Sequence, residues 1–545
     1  MVASNLPKTE VRDSSISFYI EMLLLASFFF LVVGGPPPDV NEAHYLTKAK
    51  HYWDSSFAPR DFFLNSADAH LAFYWSIGWL TKFCSLTTTA WIGRWISWLF
   101  LAGSLISVSR ALGQARGLGI ISGILFYVLQ SNFHLAGEWV VGGLEAKVFA
   151  FGFCFLAFSY AIRKNWNFVW ISLGLAVAFH VLVGGWITLL VVLYRVRVML
   201  GFRSLKKSEV LACGIGLCIG LIGFVPAWEL TASADPADVS SANYISVHVR
   251  LSHHLLFSSF QVDRYLKFGA LCVVSLVVWW RAGSNVPSEL LVLLRFAVLS
   301  LVLCGTGILL NYGLGSESPL QHSFLRFYWF RTSDVLVPVA AAFGAVAVGT
   351  GLAKRSGGMA KALVLLTAFV AVWPVWDVQR ARFWDPRPRG DVLALPHAKI
   401  SDPYRQRGVT MRISQHFLAC CQWIRLHTPS DAVIITPVRQ QTFKWNALRA
   451  EVVTRKDMPQ DAAGLVKWYD RQEALYPVRN GRRGLRQLSN EEIASAAVIY
   501  NAKYLLISQF SAEGLKRFTG DTRFVKQFPP AGQYSYYAVY EVKHE

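Results

Sequence analysis

The feature that most constrains this chain is a series of long apolar runs with very few charges inside them. A helix needs roughly 20 apolar residues to cross the hydrocarbon of a bilayer, and about eleven runs approach that length. Residues 1–378 are therefore predicted to form a mainly α-helical, polytopic membrane domain. The predicted spans lie near 16–35, 90–109, 117–134, 148–163, 167–181, 184–200, 209–229, 265–281, 289–312, 333–353 and 360–378.

The composition agrees and excludes an ordinary soluble enzyme or a disordered chain. Only 16% of the residues are charged and 54% are hydrophobic, whereas soluble proteins carry about 25% charged residues. The net charge of +19 is explained by the positive-inside rule, so no nucleic-acid partner is expected. Fifteen lysines and arginines fall in one set of loops and eight in the other, which is about twice as long. This predicts a cytoplasmic N-terminus; the bacterial inner membrane is what the family resemblance described below implies.

The sequence becomes more polar after the last apolar run. Residues 379–389 alternate arginine with proline and are predicted to form a linker. Residues 390–545 mix helical periodicity with short apolar strands, which predicts a small α/β domain. With eleven spans, this domain lies outside the cytoplasm. Its predicted elements are the helices Gln415–Leu426, Ala462–Leu475 and Asn490–Tyr500 and the strands Ala432–Thr436, Tyr504–Ile507 and Tyr534–Val542.

The loops on the predicted outer side hold most side chains that could perform chemistry. Residues 69–86 are apolar but carry charges, so they are predicted to form helices that lie on the membrane surface. The polar-aromatic segments 440–445 and 456–461 of the C-terminal domain either cover a membrane site, hold an acceptor or serve structure alone. The predicted outer loops are 36–89, 134–147, 230–263 and 313–331.

The first outer loop places two carboxylates directly after the first span. Three prolines end that span, and Asp39, Glu42 and His44 follow. A helix is predicted from Glu42 to Tyr52, with Asn41 or Asp39 as its N-cap. A carboxylate that is partly desolvated at the membrane surface can act as a general base, because desolvation raises its pKa. The alternative is that Asp39 caps the helix and Glu42 complements its positive end.

The second outer loop adds Glu138 and Glu145, with His134 at its start and Lys147 at its end. Together with the two acids of the first loop, these carboxylates could hold a divalent cation such as Mg²⁺ or Mn²⁺ through oxygen ligands. Without a metal, one carboxylate could still accept the proton of an acceptor hydroxyl. The alternative is a set of ordinary loop charges in which Lys147 pairs with Glu145.

The last outer loop carries two arginines in an aromatic segment at the membrane boundary. A guanidinium group binds phosphate with a planar fork of donors, which makes Arg326 and Arg331 candidate phosphate ligands. Alternatively, they snorkel beside an aromatic belt, and Arg331 can pair with Asp334 at i, i+3. His180, at the end of a span, is either an interfacial hydrogen-bonding residue or an accessory of the site.

The order of these parts resembles the GT-C superfamily of polyprenyl-phosphate-dependent glycosyltransferases, which includes protein O-mannosyltransferases, aminoarabinose transferases and oligosaccharyltransferase catalytic subunits. The match consists of the acidic first loop, the surface helices, Arg94 at the start of a span, the acidic second loop, the late arginines and the outer domain. The segments Asn41–Leu112 and Trp423–Pro437 look most like a separate bacterial branch of the superfamily. A clean Asp-x-Asp and a WWDYG-like motif are both missing, which argues against asparagine glycosylation.

The resemblance implies transfer of a sugar, with inversion, from a polyprenyl-phosphate donor to a protein, lipid or glycan acceptor on the extracytoplasmic face. By the same resemblance, Asp39 is the base or a metal ligand, and Arg326 or Arg331 holds the lipid phosphate. Glu42, Glu138 and Glu145 are further catalytic candidates, and His44, His134, His180 and Arg94 are accessory ones.

Two alternatives belong to other functional classes. A lipid or solute transporter should place charges within the membrane, and Glu21 in the first span is such a residue. A non-catalytic assembly protein would keep the scaffold without the chemistry. An outer cavity joining Asp39 to Arg326 or Arg331 would favour the enzyme over both.

Overall fold

The computed structural model describes residues 15–198, 206–282, 287–353, 356–396, 400–479, 481–510 and 516–543. Helices dominate the part before the C-terminal domain. They are α1 (Ser15–Val33), α2 (Glu42–Trp53), α3 (Leu71–Ser76), α4 (Leu86–Ala111), α5 (Leu118–Asn132), α6 (Ala146–Ile162), α7 (Trp166–Phe179), α8 (Val181–Val198), α9 (Lys207–Ala232), α10 (Pro236–Tyr244), α11 (Ser252–Leu255), α12 (Val262–Ala282), α13 (Ser288–Gly313), α14 (Pro319–Leu325), α15 (Ser333–Ala353), α16 (Gly357–Trp384) and α17 (Arg389–Ala394).

Each predicted apolar run overlaps one helix of the structure, and the last two positions of the run 184–200 lie outside the described residues. Among the described residues, α1, α4, α9, α13 and α15 are long and apolar enough to cross a bilayer. The helices α5, α6 and α7 are apolar but have only 15, 17 and 14 residues. The prediction of a mainly helical integral membrane protein is confirmed, whereas the number of crossings stays a prediction.

The loops that join the helices at one end of the bundle lie together on one face. We call this the loop face and define it as residues 34–85, 133–145, 233–261 and 314–332. It includes α2, which matches the predicted helix after Glu42, and α3 with a 3-10 turn at Gly78–Lys82, which match the predicted surface helices. The predicted linker 379–389 begins inside α16, which continues to Trp384 because the first proline after its predicted end is Pro386.

The C-terminal domain is built on one five-stranded mixed sheet in the order β2-β1-β5-β7-β6. Strand β1 is parallel to β2 and β5, and β7 is antiparallel to β5 and β6. The predicted α/β fold is confirmed. Its elements are α18 (Pro403–His427), β1 (Val433–Ile435), α19 (Phe443–Ala447), β2 (Ala450–Glu451), α20 (Ala462–Leu475), β3 (Val478–Arg479), β4 (Arg482–Arg483), α21 (Asn490–Ile499), β5 (Tyr504–Ser508), β6 (Phe524–Phe528) and β7 (Tyr537–Val542).

The two faces of this sheet bury different partners, because side chains alternate along a strand. Ile434 and Leu506 pack with Phe417 of α18 on one face. Leu505 packs with Trp468 of α20 on the other face, in a cluster that also contains Phe63 of the loop face. The domain therefore shares a hydrophobic core with the first outer loop.

Helices α7 and α9 approach each other at backbone distance through glycine. A Cβ atom added at Gly216 would lie 2.3 Å from the carbonyl oxygen of Trp170, and one added at Gly174 would lie 2.1 Å from the carbonyl oxygen of Gly216. No side chain fits at these two positions without moving a helix. Gly214, on the same helix, has no heavy atom within 4 Å of an added Cβ.

We expect Gly216→Ala to destabilise the protein, because the methyl group forces α7 and α9 apart. Overpacking of this kind costs about 1–3 kcal/mol, which lowers the midpoint of thermal unfolding in detergent. Gly214→Ala is the matched control and should unfold close to the wild-type temperature. Equal midpoints for the two variants would contradict the close crossing.

Candidate functional site

A buried ion pair organises the loop face where α1, α2 and α4 meet. The guanidinium of Arg94 is 1% exposed and donates two hydrogen bonds to the carboxylate of Glu42, which is 0% exposed. Arg94 also bonds the carbonyl oxygen of Gly35. Glu42 further accepts the backbone N–H groups of Asp39 and Leu144, each at 2.7 Å. Both oxygens of Glu42 are therefore occupied by donors of the protein.

The predicted N-cap of α2 is wrong in its chemistry. Asn41 occupies the N-cap position but makes no capping bond with its side chain. Its amide nitrogen donates to Glu145 of the second outer loop instead. Asp39 accepts from the N–H of Val40 at 2.7 Å. The carboxylate of Glu42 turns back to the N–H of Asp39, where Arg94 holds it.

Asp39 is buried, with 5% of its surface exposed. Its Oδ1 atom lies 3.7 Å from Nε of the exposed Arg389, and its Oδ2 atom has no hydrogen-bond partner within the described ranges. The second outer loop packs against it, since a Cβ added at Gly143 would lie 2.6 Å from the Cβ of Asp39. Asp39 thus differs from Glu42, because one of its oxygens remains available.

The acids of the second loop meet Arg331 across the loop face. We call Glu138, Glu145, Lys147 and Arg331 the charge cluster. Lys147 Nζ lies 2.9 Å from Glu138 Oε1 and 3.6 Å from Glu145 Oε2, and Arg331 pairs with the other oxygen of Glu138. Lys147, predicted to pair with Glu145, thus lies closer to Glu138.

Aromatic rings cover the two cations of the charge cluster. Lys147 Nζ lies 3.8 Å from the centroid of the Trp139 ring, and the guanidinium of Arg331 lies 3.9 Å from that of Tyr328. Ring faces attract cations, so each side chain is held by a carboxylate and a ring. The guanidinium plane of Arg331 is therefore fixed at the loop face.

The pKa values of the two acids of the charge cluster are shifted in opposite directions. Burial raises the pKa of Glu138, but the charges of Arg331 and Lys147 outweigh it and hold that pKa below its ordinary value. Burial also raises the pKa of Glu145, and the more distant Lys147 and the amide of Asn41 offset this only in part, so it stays above its ordinary value. Glu138 is thus the fixed counterion, and Glu145 is the more basic carboxylate.

The expected pairing of Arg331 with Asp334 is wrong. Asp334, buried at the start of α15, accepts the backbone N–H groups of Leu135, Ala136 and Glu138 at 2.6, 2.9 and 3.2 Å. These donors belong to a loop without regular secondary structure, whose N–H groups need partners when buried. Asp334 therefore anchors the second outer loop, and Arg331 pairs with Glu138 instead.

Two cations beside the charge cluster were not singled out from the sequence. Burial and the charges of Arg250 and Lys147 together lower the pKa of Lys456 to about 8, against the opposing pull of Glu145 and Asp457. Arg250 donates to the carbonyl oxygen of Arg455 at 3.1 Å. Neither Lys456 nor Arg250 has a carboxylate within ion-pair distance among the described residues. The neighbourhood therefore carries an excess of positive charge.

A second buried network ties the C-terminal domain to the first outer loop. Lys444 Nζ lies 2.6 Å from Asp457, 3.0 Å from Glu451 and 3.4 Å from Asp61. His44, predicted as accessory, bonds Asp457 at 3.1 Å. Burial raises the pKa of Glu451 to about 7 despite Lys444. No local sequence pattern indicates this network, because its members lie up to about 400 positions apart in the chain.

The remaining predicted site residues form no ion pair with the charge cluster among the described residues. Arg326 donates to Oδ1 of Asn243 at 2.6 Å. The ring of His180 lies 5.6 Å from that of His70, and Nδ1 of His134 is buried without a partner among the described residues. Glu21, the residue on which the transporter alternative rests, pairs with Arg110 at the end of α4.

The predicted divalent cation finds no fitting ligand set. Glu42, Glu138 and Glu145 are each engaged by a cationic or amide group of the protein. In the described part of the chain, no three His, Cys, Asp or Glu side chains are grouped to hold a metal ion.

Comparison with known proteins gives a family match and a set of similar solved structures. The model of a domain of unknown function (DUF6798) matches residues 415–475, which run from α18 to the end of α20 and include Lys444 and Lys456. No curated protein matches the chain. Two crystal structures of ArnT from Cupriavidus metallidurans are similar, one bound to undecaprenyl phosphate and one in the apo state. Both have 13% sequence identity and cover 96% of this chain and 97% of their own, with TM-scores of 0.49 and 0.48.

Proposed function

We propose that this protein is a membrane glycosyltransferase that moves a sugar from a polyprenyl-phosphate donor to an acceptor at the loop face, which is the extracytoplasmic face. The observation that carries the proposal is the charge cluster together with the neighbouring Lys456 and Arg250, which give this part of the loop face an excess of positive charge. Lys147 is buried and Arg331 is half-buried, and Glu138 orients both, while Lys456 and Arg250 beside them have no carboxylate partner within the described ranges. Such an arrangement suits a phosphate group at the membrane surface.

In this proposal Arg331 is the phosphate ligand rather than Arg326. Glu138 engages Nε of Arg331, which leaves the terminal nitrogens of the guanidinium for a ligand. Arg326 already donates to Asn243. The cations would stabilise the negative charge that develops on the leaving phosphate as the bond to the sugar breaks.

Asp39 is the proposed base. The acceptor oxygen attacks the anomeric carbon while the bond from that carbon to the phosphate oxygen breaks, and the phosphate leaves with the electron pair. The proton of the acceptor hydroxyl passes to the carboxylate of Asp39. The support is the oxygen of Asp39 that lacks a partner, whereas Glu42 is filled by donors. Glu145, with its raised pKa, is the second candidate for this role.

We expect Asp39→Asn to abolish transfer and leave the fold intact, because the amide cannot take a proton. Loss of a general base costs about 10²–10⁴-fold in rate. Polyprenyl-phosphate sugars extracted from cells that naturally make this protein serve as donors, and membranes of the same cells supply the acceptor. Purified protein is added, and mass spectrometry measures how fast the donors are consumed. Asp54→Asn, which alters another carboxylate of the same loop, is the control and should retain activity. A fully active Asp39→Asn variant would rule Asp39 out as the base.

We expect Arg331→Gln to weaken the binding of undecaprenyl phosphate to the protein in nanodiscs by about 10–100-fold. A hydrogen bond to a charged group contributes about 1.5–3 kcal/mol, and the glutamine keeps much of the side-chain length. Arg326→Gln should bind the lipid like the wild type, because Arg326 has its own partner. If instead Arg326→Gln loses affinity and Arg331→Gln does not, the assignment of the two arginines is reversed.

We expect the affinity for undecaprenyl phosphate to fall between pH 7.5 and 9. Lys456 has a pKa of about 8, so it is mostly protonated below this window and loses its charge within it. The phosphate, whose second pKa is about 6, keeps a constant charge over the same range. Lys456→Arg stays charged and should flatten the profile, whereas Lys467→Arg on the exposed face of α20 should not. A wild-type affinity that stays constant across this window would exclude Lys456 from the phosphate site.

A further inference from the structure

A cavity lies on the loop face, away from the charge cluster. Its volume is about 430 Å³, and it opens between α10, the turn that precedes α14, and α20 of the C-terminal domain. None of the charge-cluster residues lines it. The residues that give it chemical character are Ser241, Tyr244, Glu317, His322, Tyr469 and Asp470.

The lining combines aromatic rings with carboxylates and contains no lysine or arginine. Tyr244 is 41% exposed at its wall. Glu317 and Asp470 have neither an ion pair nor a side-chain hydrogen bond among the described residues. The cavity therefore offers unpaired acceptors and negative charge, in contrast to the excess of positive charge around the charge cluster. Polyhydroxylated ligands present C–H groups to rings and hydroxyl donors to carboxylates, and such a lining suits them.

The aromatic wall is held in place before any ligand arrives. The ring of Tyr244 stacks on His248 with centroids 5.0 Å apart and an angle of 19° between the planes. His322 meets Tyr244 edge-on at 5.2 Å and bonds the carbonyl oxygen of Ser316 at 2.6 Å. A preorganised wall loses little freedom when it binds a ligand.

The cavity is linked to the proposed phosphate site by one continuous segment. Asn243, next to Tyr244, accepts from Arg326 and donates to Ser323 at 3.1 Å. The π-helical segment Ile245–Arg250 then leads from the cavity wall to Arg250, whose charge acts on Lys456. A ligand in the cavity therefore lies within one short helix of the cations.

We propose that this cavity binds the acceptor and that the acceptor is a non-anionic carbohydrate. The rings and unpaired carboxylates fit neutral or amino sugars, and the negative lining repels sugars that carry carboxylates or phosphates. The volume lies in the range of small-ligand sites. This inference rests on the proposed function, because it names the substrate that receives the sugar.

The test measures binding of the full-length protein, labelled and held in nanodiscs, to an array of mono- to tetrasaccharides. The array carries neutral, amino and uronic-acid-containing members. We expect binding to at least one neutral or amino glycan. The double variant Glu317→Gln/Asp470→Asn and the single variant Tyr469→Ala should each lower that affinity at least tenfold. Lys467→Ala, on the same helix but outside the cavity, should bind like the wild type.

Three outcomes overturn the inference: no binding to any glycan, binding confined to uronic acids, or binding that none of the cavity variants changes. Because Glu317 and Asp470 are on the surface, their double variant keeps the test decisive if Tyr469→Ala folds poorly. Asp39→Asn should bind glycans normally. Loss of transfer in Asp39→Asn without any cavity-dependent binding would leave the proposed function standing and reject the acceptor site alone.

Discussion

The loop face depends on the buried ion pair between Arg94 and Glu42. A charged pair taken out of water is stable only when its remaining donors and acceptors are also satisfied. Here the carbonyl oxygen of Gly35 and the N–H groups of Asp39 and Leu144 do this. Removal of one partner of such a pair costs about 3–5 kcal/mol. The pair thereby fixes the end of α1, the start of α2 and the second outer loop relative to α4.

The second outer loop shows how an irregular segment becomes a rigid part of a site. It has no helix or strand to satisfy its backbone, and two carboxylates take over that role. Asp334 binds three N–H groups at its start, and Glu42 binds the N–H of Leu144 near its end. Glu138 and Glu145 project from a backbone held at both sides, so Lys147 and Arg331 find them in fixed positions. The positive surface proposed to bind phosphate is a product of that anchoring.

The helices could be predicted from the sequence because apolar runs and helical periodicity are local signals. The helix α20 has the bounds expected from its pattern, and each apolar run became a helix. The site could be predicted only as a set of residues. Glu138 and Arg331 are 193 positions apart, and no local rule connects them. The local rules that did apply, a cap by Asn41 and a pair between Arg331 and Asp334, failed because longer-range partners bind those side chains more completely.

The lysine that joins Asp61, Glu451 and Asp457 has a consequence for access to the site. Swinging the C-terminal domain away from the bundle would separate Lys444 from Asp61 and Asp457 from His44, and would expose the apolar core that the two parts share. The domain and the first loop therefore behave as one mechanical unit, a fixed roof rather than a hinged lid. For the proposed lipid-linked donor, such a roof leaves entry from the side, between helix ends, as the route from the bilayer to the site.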